Sequence, residues 1–236
     1  MNAKHALLAE GLGTAALLAI VVGSGIMGER LAQGNLAVAL LANSLATGAG
    51  LYVLITLLGP ISGAHFNPVV SAMMWSRGEL SAGKATSYMV TQLISAIVGV
   101  VIAHAMFDLP LLQASTRARG GAGQWFSEFV ATAGLLTTIL LALRARSAQI
   151  AALVGSYITT AYWFTASTSF ANPAVTLARA LTDSFAGIRP VDVAGFIIAQ
   201  CAAAMLMIAA SRALAPRDAR DNDAVVEPTS SKSKPA

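Results

Sequence analysis

Two Asn-Pro pairs are the polar groups best placed to do chemistry in this chain. They are Asn67-Pro68-Val69 and Asn172-Pro173-Ala174, and each interrupts a strongly apolar sequence. Asn is a preferred N-cap and Pro is favoured at the first helical position, so each pair predicts the start of a short helix. Irregular backbone at membrane depth is tolerated only inside protein or along a water-filled cavity. The two pairs therefore predict two half-helices that line a pore or transport site.

The chemistry expected where the half-helices meet is electrostatic. If their N-termini face each other at the membrane centre, the partial positive charges of the two helix dipoles converge there. That field repels protons and metal cations and affects a neutral molecule much less. We expect the amide N–H groups of Asn67 and Asn172 to be free to donate to a passing water or hydroxyl oxygen. The pattern predicts a passive, cation-excluding channel for neutral polar solutes.

The composition is that of a chain embedded in a lipid bilayer. Of the 236 residues, 56% are hydrophobic and only 11% are charged, and the mean hydropathy is +0.68. A soluble domain would carry about a quarter charged residues. The formal net charge of +4 comes without a basic patch interleaved with aromatic residues, so nothing indicates nucleic-acid binding.

The apolar runs define the elements that must position the two pairs. Six runs have the roughly 20 residues needed to span a bilayer: about Ala6–Met27, Leu36–Leu58, Thr86–Phe107, Trp125–Leu143, Ile150–Thr168 and Val191–Leu214. A half-length apolar segment with an Asn-Pro pair lies before the third run and before the sixth. Three full spans per half is an odd number, so the second half enters the membrane the opposite way round. The sequence predicts an all-α membrane protein with six transmembrane helices and two re-entrant half-helices in an inverted repeat, about 6–107 and 125–214.

Matched polar residues support the repeat. Glu10 and Glu128 lie in the first helix of each half, and Gln92 and Gln200 lie in the last. Buried polar groups in a membrane need partners, so we interpret the glutamates as acceptors that hold the half-helix loops. Proton coupling is the alternative role for them.

The distribution of Lys and Arg predicts the orientation. With the N-terminus inside, the inner residues outnumber the outer ones, and both termini are expected in the cytoplasm. The inner set is Lys4, Arg77, Lys84, Arg144, Arg146, Arg212, Arg217, Arg220, Lys232 and Lys234, and the outer set is Arg30, Arg117, Arg119, Arg179 and Arg189. Residues 1–215 are predicted to form the channel domain, and the polar composition of residues 216–236 predicts a disordered cytoplasmic tail.

With these motifs in place, the chain resembles the aquaporin (major intrinsic protein) family over about residues 6–214. The resemblance implies the aquaporin fold, a homotetramer in the inner membrane of a bacterium, and water and small neutral solutes as the molecules it meets. Two positions depart from the family pattern. Val69 replaces the usual Ala of the first motif, and Val175 replaces the Arg that usually follows the second.

The resemblance also implies which residues form the narrowest ring of the pore. They are Thr47, Ser169, Val175 and one residue of the fifth span, either Thr160 or Tyr162 according to the length of the following loop. Without the usual Arg, we expect a wider and less polar constriction. Such a ring suits glycerol-like polyols, urea-like molecules or neutral metalloid hydroxides. Bacterial members with this Val resemble a branch linked to arsenic resistance, which makes arsenite or methylated arsenicals candidate solutes.

Two further residues are candidates for the ends of the pore. Arg179 follows Val175 by one helical turn, about 6 Å further along the same face. It either places charge in the outer vestibule, partly replacing the missing Arg, or snorkels to the membrane interface. His65 is expected to line the inner mouth, whereas His5 and His104 are expected to have no role.

Two other functional classes compete with a passive channel. A coupled secondary transporter also uses inverted repeats and broken helices, but it would normally show acidic groups near the substrate site. An intramembrane enzyme is disfavoured because three His and one Cys without metal-ligand spacing form no catalytic constellation. We therefore expect no catalytic residues, no metal and no cofactor.

Overall fold

A computed structural model describes residues 3–213, and their regular structure is entirely helical. Within that range the chain forms eight α-helices and one 3₁₀ turn: α1 (Ala3–Ala32), α2 (Leu36–Ser62), α3 (Pro68–Ser76), α4 (Ala82–Met106), α5 (Ala122–Arg144), α6 (Ile150–Phe164), α7 (Pro173–Arg179), the turn Pro190–Asp192 and α8 (Val193–Ala213). Six longer helices and two half-helices occur in the predicted order, which confirms the predicted fold class. The predicted tail, residues 216–236, lies outside the described residues.

The half-helices α3 and α7 begin at the Asn-Pro pairs. The Oδ1 atom of Asn67 accepts a hydrogen bond from the backbone N of Val69 at 3.0 Å. The Oδ1 atom of Asn172 accepts from the backbone N of Ala174 at 3.0 Å and of Val175 at 3.3 Å. Each Asn thus caps its own helix, with Pro in the first turn. The helices are only 9 and 7 residues long, because each one starts in the middle of the protein and returns to the side from which the chain entered.

Helix α6 is shorter than the span expected there. Five helices are long and apolar enough to cross a membrane, whereas α6 has 15 residues. Helix α6 ends at Phe164 because Thr165 is extended, and Thr168 and Ser169 then adopt positive φ angles. At 1.5 Å per residue α6 still covers about 22 Å, and the segment after it enters the protein to reach α7.

Close helix packing brings the two repeats together. Helix α1 packs on α2 and α4, α5 packs on α6 and α8, and both half-helices contact α4 and α8. Small residues allow the close crossings. A Cβ atom on Gly99 would lie 2.2 Å from the carbonyl oxygen of Ala15, and one on Gly155 would lie 2.6 Å from that of Gly48.

The outer faces of the bundle are apolar. Large hydrophobic side chains such as Leu31, Phe126 and Ile198 are mostly exposed, as expected for helices in contact with lipid or with another subunit. We call the end of the bundle near Ala3 and Ala213 the termini side. The opposite end, which holds the loop between α4 and α5, is the far side.

Candidate functional site

A narrow cavity runs between the two repeats, where the half-helices meet. It encloses about 190 Å³ and reaches from Glu79 and Leu143 on the termini side to Arg179 on the far side. Most of its wall is aliphatic, with residues such as Leu51 and Ile158, and polar groups occur at only a few heights. A path of this kind gives a solute few places at which to replace its water of hydration.

Asn67 and Asn172 lie on the cavity wall at its middle and are tied to each other's loops. The Nδ2 atom of Asn67 donates to the carbonyl oxygen of Ala171 at 2.8 Å. The Nδ2 atom of Asn172 donates to that of Phe66 at 2.8 Å. Each carboxamide therefore uses one of its two N–H groups inside the protein. Contrary to the expectation from the sequence, the amides are not wholly free: one N–H of each Asn is bonded within the protein, and one is left for a solute.

Glu10 holds the first half-helix loop. Its Oε1 atom accepts from the Ser62 hydroxyl at 2.7 Å and from the backbone N of His65 at 2.9 Å. Its Oε2 atom accepts from the backbone N of Phe66 and from Gln92 Nε2, both at 2.8 Å. The carboxylate is fully buried. These four hydrogen bonds fix a loop whose backbone at Phe66 has a positive φ of 48°.

Glu128 occupies the matched position in the second repeat. It accepts hydrogen bonds from the backbone N of Phe170 at 2.8 Å, from the backbone N of Ala171 at 2.9 Å and from Gln200 Nε2 at 2.6 Å. Gln200 also donates to Thr176 at 2.8 Å, just as Gln92 donates to Ser71 at 3.0 Å in the first repeat. Both carboxylates face backbone donors, an arrangement suited to holding a loop in place.

The residues assigned to the constriction come together near the far end of the cavity. Thr47, Tyr162, Ser169 and Val175 all lie on its wall. The hydroxyl groups of Thr47 and Tyr162 are 3.3 Å apart. The Ser169 hydroxyl is buried and has no hydrogen-bond partner among residues 3–213. The ring is therefore polar on one part of its circumference and apolar at Val175.

Thr160, the other candidate from the fifth span, does not lie on the cavity. It is exposed on the outer surface of α6, and its hydroxyl donates to the backbone of Ser156 at 2.9 Å. Residues two apart on a helix point to nearly opposite sides, so only one of the pair Thr160 and Tyr162 can face the pore. The assignment of Thr160 to the constriction is wrong because the loop after α6 sets the other register.

Arg179 lies at the far end of the cavity and is 1% exposed. Its Nε atom donates to the carbonyl oxygen of Ala186, and its Cζ atom lies 3.4 Å from the centre of the Phe170 ring. The Tyr162 hydroxyl also interacts with it electrostatically. This burial excludes the alternative in which Arg179 snorkels to the membrane surface. The side chain instead borders the pore, one turn beyond Val175.

Arg119 is a second buried arginine at this end, and no sequence pattern predicts its burial. It lies in the loop between α4 and α5. Its guanidinium donates to the carbonyl oxygens of Gly187 at 2.7 Å, Ser167 at 3.0 Å and Phe185 at 3.1 Å. Burial and then the charge of Arg179 lower the pKa of Arg119 to about 9. At neutral pH it stays charged, so two buried cations lie beside the far end of the pore.

Of the three histidines, His65 and His5 lie as expected, and His104 does not. His65 lies on the cavity wall towards the termini side, with Nδ1 3.1 Å from the Ser71 hydroxyl. His5 is exposed. His104, expected to have no role, is fully buried, and its ring nitrogens lie 2.9 Å from the carbonyl oxygen of Leu111 and 2.8 Å from the Thr182 hydroxyl. It joins the end of α4 to two far-side loops, a role that depends on contacts distant in sequence.

The described part of the chain shows no group of three or more His, Cys, Asp or Glu side chains able to hold a metal ion. The polar groups on the cavity wall are amides, hydroxyls, one imidazole, one guanidinium and the carboxylate of Glu79. They can bind and orient a solute by hydrogen bonds. Their arrangement suits passage of a molecule along the cavity.

Comparisons with known proteins agree with this geometry. The family model described as Major intrinsic protein matches residues 1–149. Aquaglyceroporin AqpS of Rhizobium meliloti is 53% identical over 205 residues, 87% of this chain and 88% of that protein. Aquaporin-3 of Milnesium tardigradum is 34% identical over 132 residues, which cover 52% of this chain and 40% of that protein.

A solved structure gives the same fold. The aquaglyceroporin from Plasmodium falciparum superposes with a TM-score of 0.65 at 19% identity, and the match covers 88% of this chain and 95% of that chain. Together with the five apolar spans and α6, these findings identify a multi-pass membrane channel and exclude an enzyme. The chain belongs to the major intrinsic protein family.

Proposed function

We propose that the pore passes water and small uncharged polyhydroxy solutes such as glycerol down their concentration gradients. The observation that carries this proposal is the pair of capped half-helices, whose Asn side chains each keep one N–H on the wall of a mostly aliphatic cavity. A hydroxylated solute accepts hydrogen bonds there while its carbon skeleton contacts the aliphatic wall. The match to a relative named aquaglyceroporin supports the same class of solute.

Uncharged solutes are favoured because the charges near the path are mostly positive. The N-termini of α3 and α7 meet at the centre, and each contributes about half a positive charge. Arg179 adds a full charge at the far end. Among the described residues on the cavity wall, Glu79 is the only carboxylate, and it lies at the termini side. A cation entering from the far side meets two barriers, so Arg179 supports cation exclusion in place of an Arg at position 175.

Larger neutral solutes are favoured by the small side chains of the constriction. Thr47, Ser169 and Val175 leave more width than arginine or aromatic residues would at the same positions, while Tyr162 and Arg179 limit it. Urea-like molecules and arsenous acid, an uncharged triol similar to glycerol in its array of hydroxyls, belong to this size class. We include arsenite and methylated arsenicals among the candidate solutes on that ground.

The contacts of the glutamates favour a passive channel over a coupled transporter. The carboxylate of Glu10 accepts four hydrogen bonds and that of Glu128 three, and two in each set come from backbone N–H groups. A group that binds and releases a proton in each cycle would have to break these bonds each time. We therefore assign both glutamates a structural role, with Gln92 and Gln200 as their partners.

We also propose that the termini side faces the cytoplasm and that four copies assemble in a bacterial inner membrane. The excess of Lys and Arg on the termini side supports the orientation. The large exposed apolar faces of the helices suit contact with other subunits and with lipid. Accessibility of single engineered cysteines and the mass of the detergent-solubilised protein test these two statements.

Flux into proteoliposomes tests the main proposal. Stopped-flow light scattering follows vesicle volume under an impermeant osmolyte, then under glycerol or arsenous acid gradients. We expect wild type to pass water and glycerol, and Val175→Arg to pass water while losing most glycerol flux, because the added guanidinium narrows the ring. The matched control is Val191→Arg, since Val191 is 79% exposed on the far side.

Three results would count against the proposal. Flux of water and glycerol no higher than in empty vesicles would remove the channel. Glycerol flux that requires a proton or sodium gradient would favour a coupled transporter. Equal loss of glycerol flux in Val175→Arg and Val191→Arg would show that position 175 does not set the constriction.

A further inference from the structure

Two nitrogen atoms of the Arg179 guanidinium form no well-placed hydrogen bond within residues 3–213, and the Tyr162 hydroxyl is a polar side-chain group that interacts with the guanidinium. Its Nε atom donates to Ala186, but Nη1 and Nη2 are buried and lack a hydrogen-bond partner in the described chain. Buried polar groups nearly always have a partner, and a charged group left without one is costly. Arg179 also lies on the cavity wall, so the pore is the side from which a partner would approach it.

Among residues 3–213 no carboxylate forms an ion pair with this charge. Glu128 acts on Arg179 electrostatically, but its oxygens are occupied by the backbone N–H groups of Phe170 and Ala171 and by Gln200. The second cation, Arg119, donates to backbone carbonyls and to Thr168. Arg119 therefore adds positive charge to the region while its own donors are used. On the cavity wall, Arg179 is therefore a positive charge without a carboxylate partner.

We propose that Arg179 is a binding site within the pore for a small monovalent oxyanion of the carboxylate type, with the Ser169 hydroxyl as a further donor. The Ser169 hydroxyl is also buried without a partner in residues 3–213, and Ser169 lies on the same cavity. This inference rests on the proposed function, because the anion enters by the path that neutral solutes use.

The donor set selects the shape and charge of the ligand. A guanidinium presents two parallel N–H groups that match two oxygens of a planar anion. The ammonium group of a lysine has no such paired geometry. The neighbouring ring is small, with Thr47 and Tyr162 only 3.3 Å apart between hydroxyl oxygens, so the anion must be small too. Formate fits these requirements, and nitrate is an isosteric anion that is not protonated near neutral pH.

Binding there has a consequence for flux. Between Arg179 and the N-termini of α3 and α7 the wall is apolar at Val175 and Ile158. An anion that leaves Arg179 therefore loses its hydrogen bonds before it reaches the N–H groups of Asn67 and Asn172. A neutral hydroxylated solute competes for the same N–H groups without a charge. An oxyanion on the far side is therefore held at Arg179 and obstructs the solutes that follow it.

Water permeability of proteoliposomes measures this obstruction. Vesicles are shrunk with sucrose in sodium formate, sodium nitrate or sodium chloride at one ionic strength. We expect formate and nitrate to lower wild-type water permeability in a saturable way, and chloride to do so much less. Titration calorimetry of the detergent-solubilised tetramer or monomer with sodium formate measures binding without any flux.

Variants separate the site from general electrostatics. Arg179→Gln is expected to raise the formate concentration for half-maximal block by about tenfold or more, as loss of charge-assisted hydrogen bonds implies. Arg179→Lys keeps the charge and loses the paired N–H geometry, so an intermediate value is expected. Arg30→Gln removes an exposed far-side arginine and is expected to leave the block unchanged.

The outcomes are distinguishable from failure of the channel itself. Water flux above that of empty vesicles with no effect of formate or nitrate would overturn the oxyanion site and leave the proposed function standing. Equal block in wild type and Arg179→Gln, with both proteins eluting as folded species, would also overturn it. Absence of all flux would contradict the channel, whereas calorimetric binding lost in Arg179→Gln would still support the site.

Discussion

Replacing Glu128 with Gln tests whether the buried glutamates hold the loops or carry protons. The carboxylate accepts from three donors, the backbone N–H groups of Phe170 and Ala171 and the amide of Gln200, at 2.6 to 2.9 Å. Gln supplies one oxygen in place of two, and its NH₂ group then faces donors. At least one buried donor is left unsatisfied, at a cost of about 1–3 kcal/mol, and the remaining bonds lose their charge assistance.

We expect Glu128→Gln to lose about 2–4 kcal/mol of stability. For a domain of this size about 1 kcal/mol moves Tm by about 2–4 °C, so Tm of the detergent-solubilised protein should fall by roughly 5–15 °C. Glu10→Gln should behave alike, because Glu10 accepts four hydrogen bonds. The control is Glu79→Gln, which removes an exposed ion pair with Arg77 worth at most about 1 kcal/mol.

Tryptophan fluorescence during heating gives Tm, and glycerol flux is measured on the same preparations below the transition. The structural interpretation expects the folded fraction of Glu128→Gln to retain flux that ignores a pH gradient. The contrary result has two parts: a pH gradient drives flux in wild type but not in Glu128→Gln, and the two proteins have the same Tm. Glu128 would then carry protons, and its role in holding the loop would be refuted.

Two further substitutions test the packing and the constriction. Gly99→Ala should destabilise the protein by about 1–3 kcal/mol, because the new Cβ would lie 2.2 Å from the carbonyl oxygen of Ala15. Gly59→Ala is the control, since a Cβ there would have no atom within 4 Å. Thermal unfolding measures both variants, and equal Tm values would contradict the close crossing of α1 and α4. Tyr162→Ala should raise the ratio of glycerol to water flux by a factor on the order of a few-fold, since Tyr162 lies on the cavity wall. Thr160→Ala should leave that ratio unchanged. If stopped-flow assays showed that Thr160→Ala changes the ratio and Tyr162→Ala does not, Thr160 would be the residue of α6 that faces the pore.

Local signals in the sequence predicted most of the fold. The N-caps Asn67 and Asn172, each followed by Pro, placed the starts of α3 and α7 at the residues where the structure has them. The apolar runs placed the six longer helices, since a bilayer requires about 20 apolar residues. These signals need no knowledge of distant contacts. Where an element ends by entering a loop inside the protein, as α6 does at Phe164, hydropathy does not change and the boundary was missed.

The details of the site depend on contacts far apart in sequence, which a pattern does not contain. Whether Tyr162 or Thr160 faces the pore is decided by the path of residues 165–172 back to the centre. The partners of the Asn67 and Asn172 amides are carbonyls in the opposite repeat. Arg119 contacts the carbonyl oxygen of Ser167 from a loop without any regular pattern.

The position of Arg179 affects the selectivity of the pore for both charge and size. An arginine at position 179 instead of 175 has its Cα atom about 6 Å further along the axis of α7, while its guanidinium still lies against Phe170 and interacts with Tyr162. Val175 is shorter than arginine, so the ring formed with Thr47 and Ser169 gains width at that position. The electrostatic barrier to cations persists, because the guanidinium still borders the path and Arg119 lies nearby. An arginine at position 175 would set width and charge at one place, whereas here Val175 widens the ring and Arg179 supplies the charge beside it.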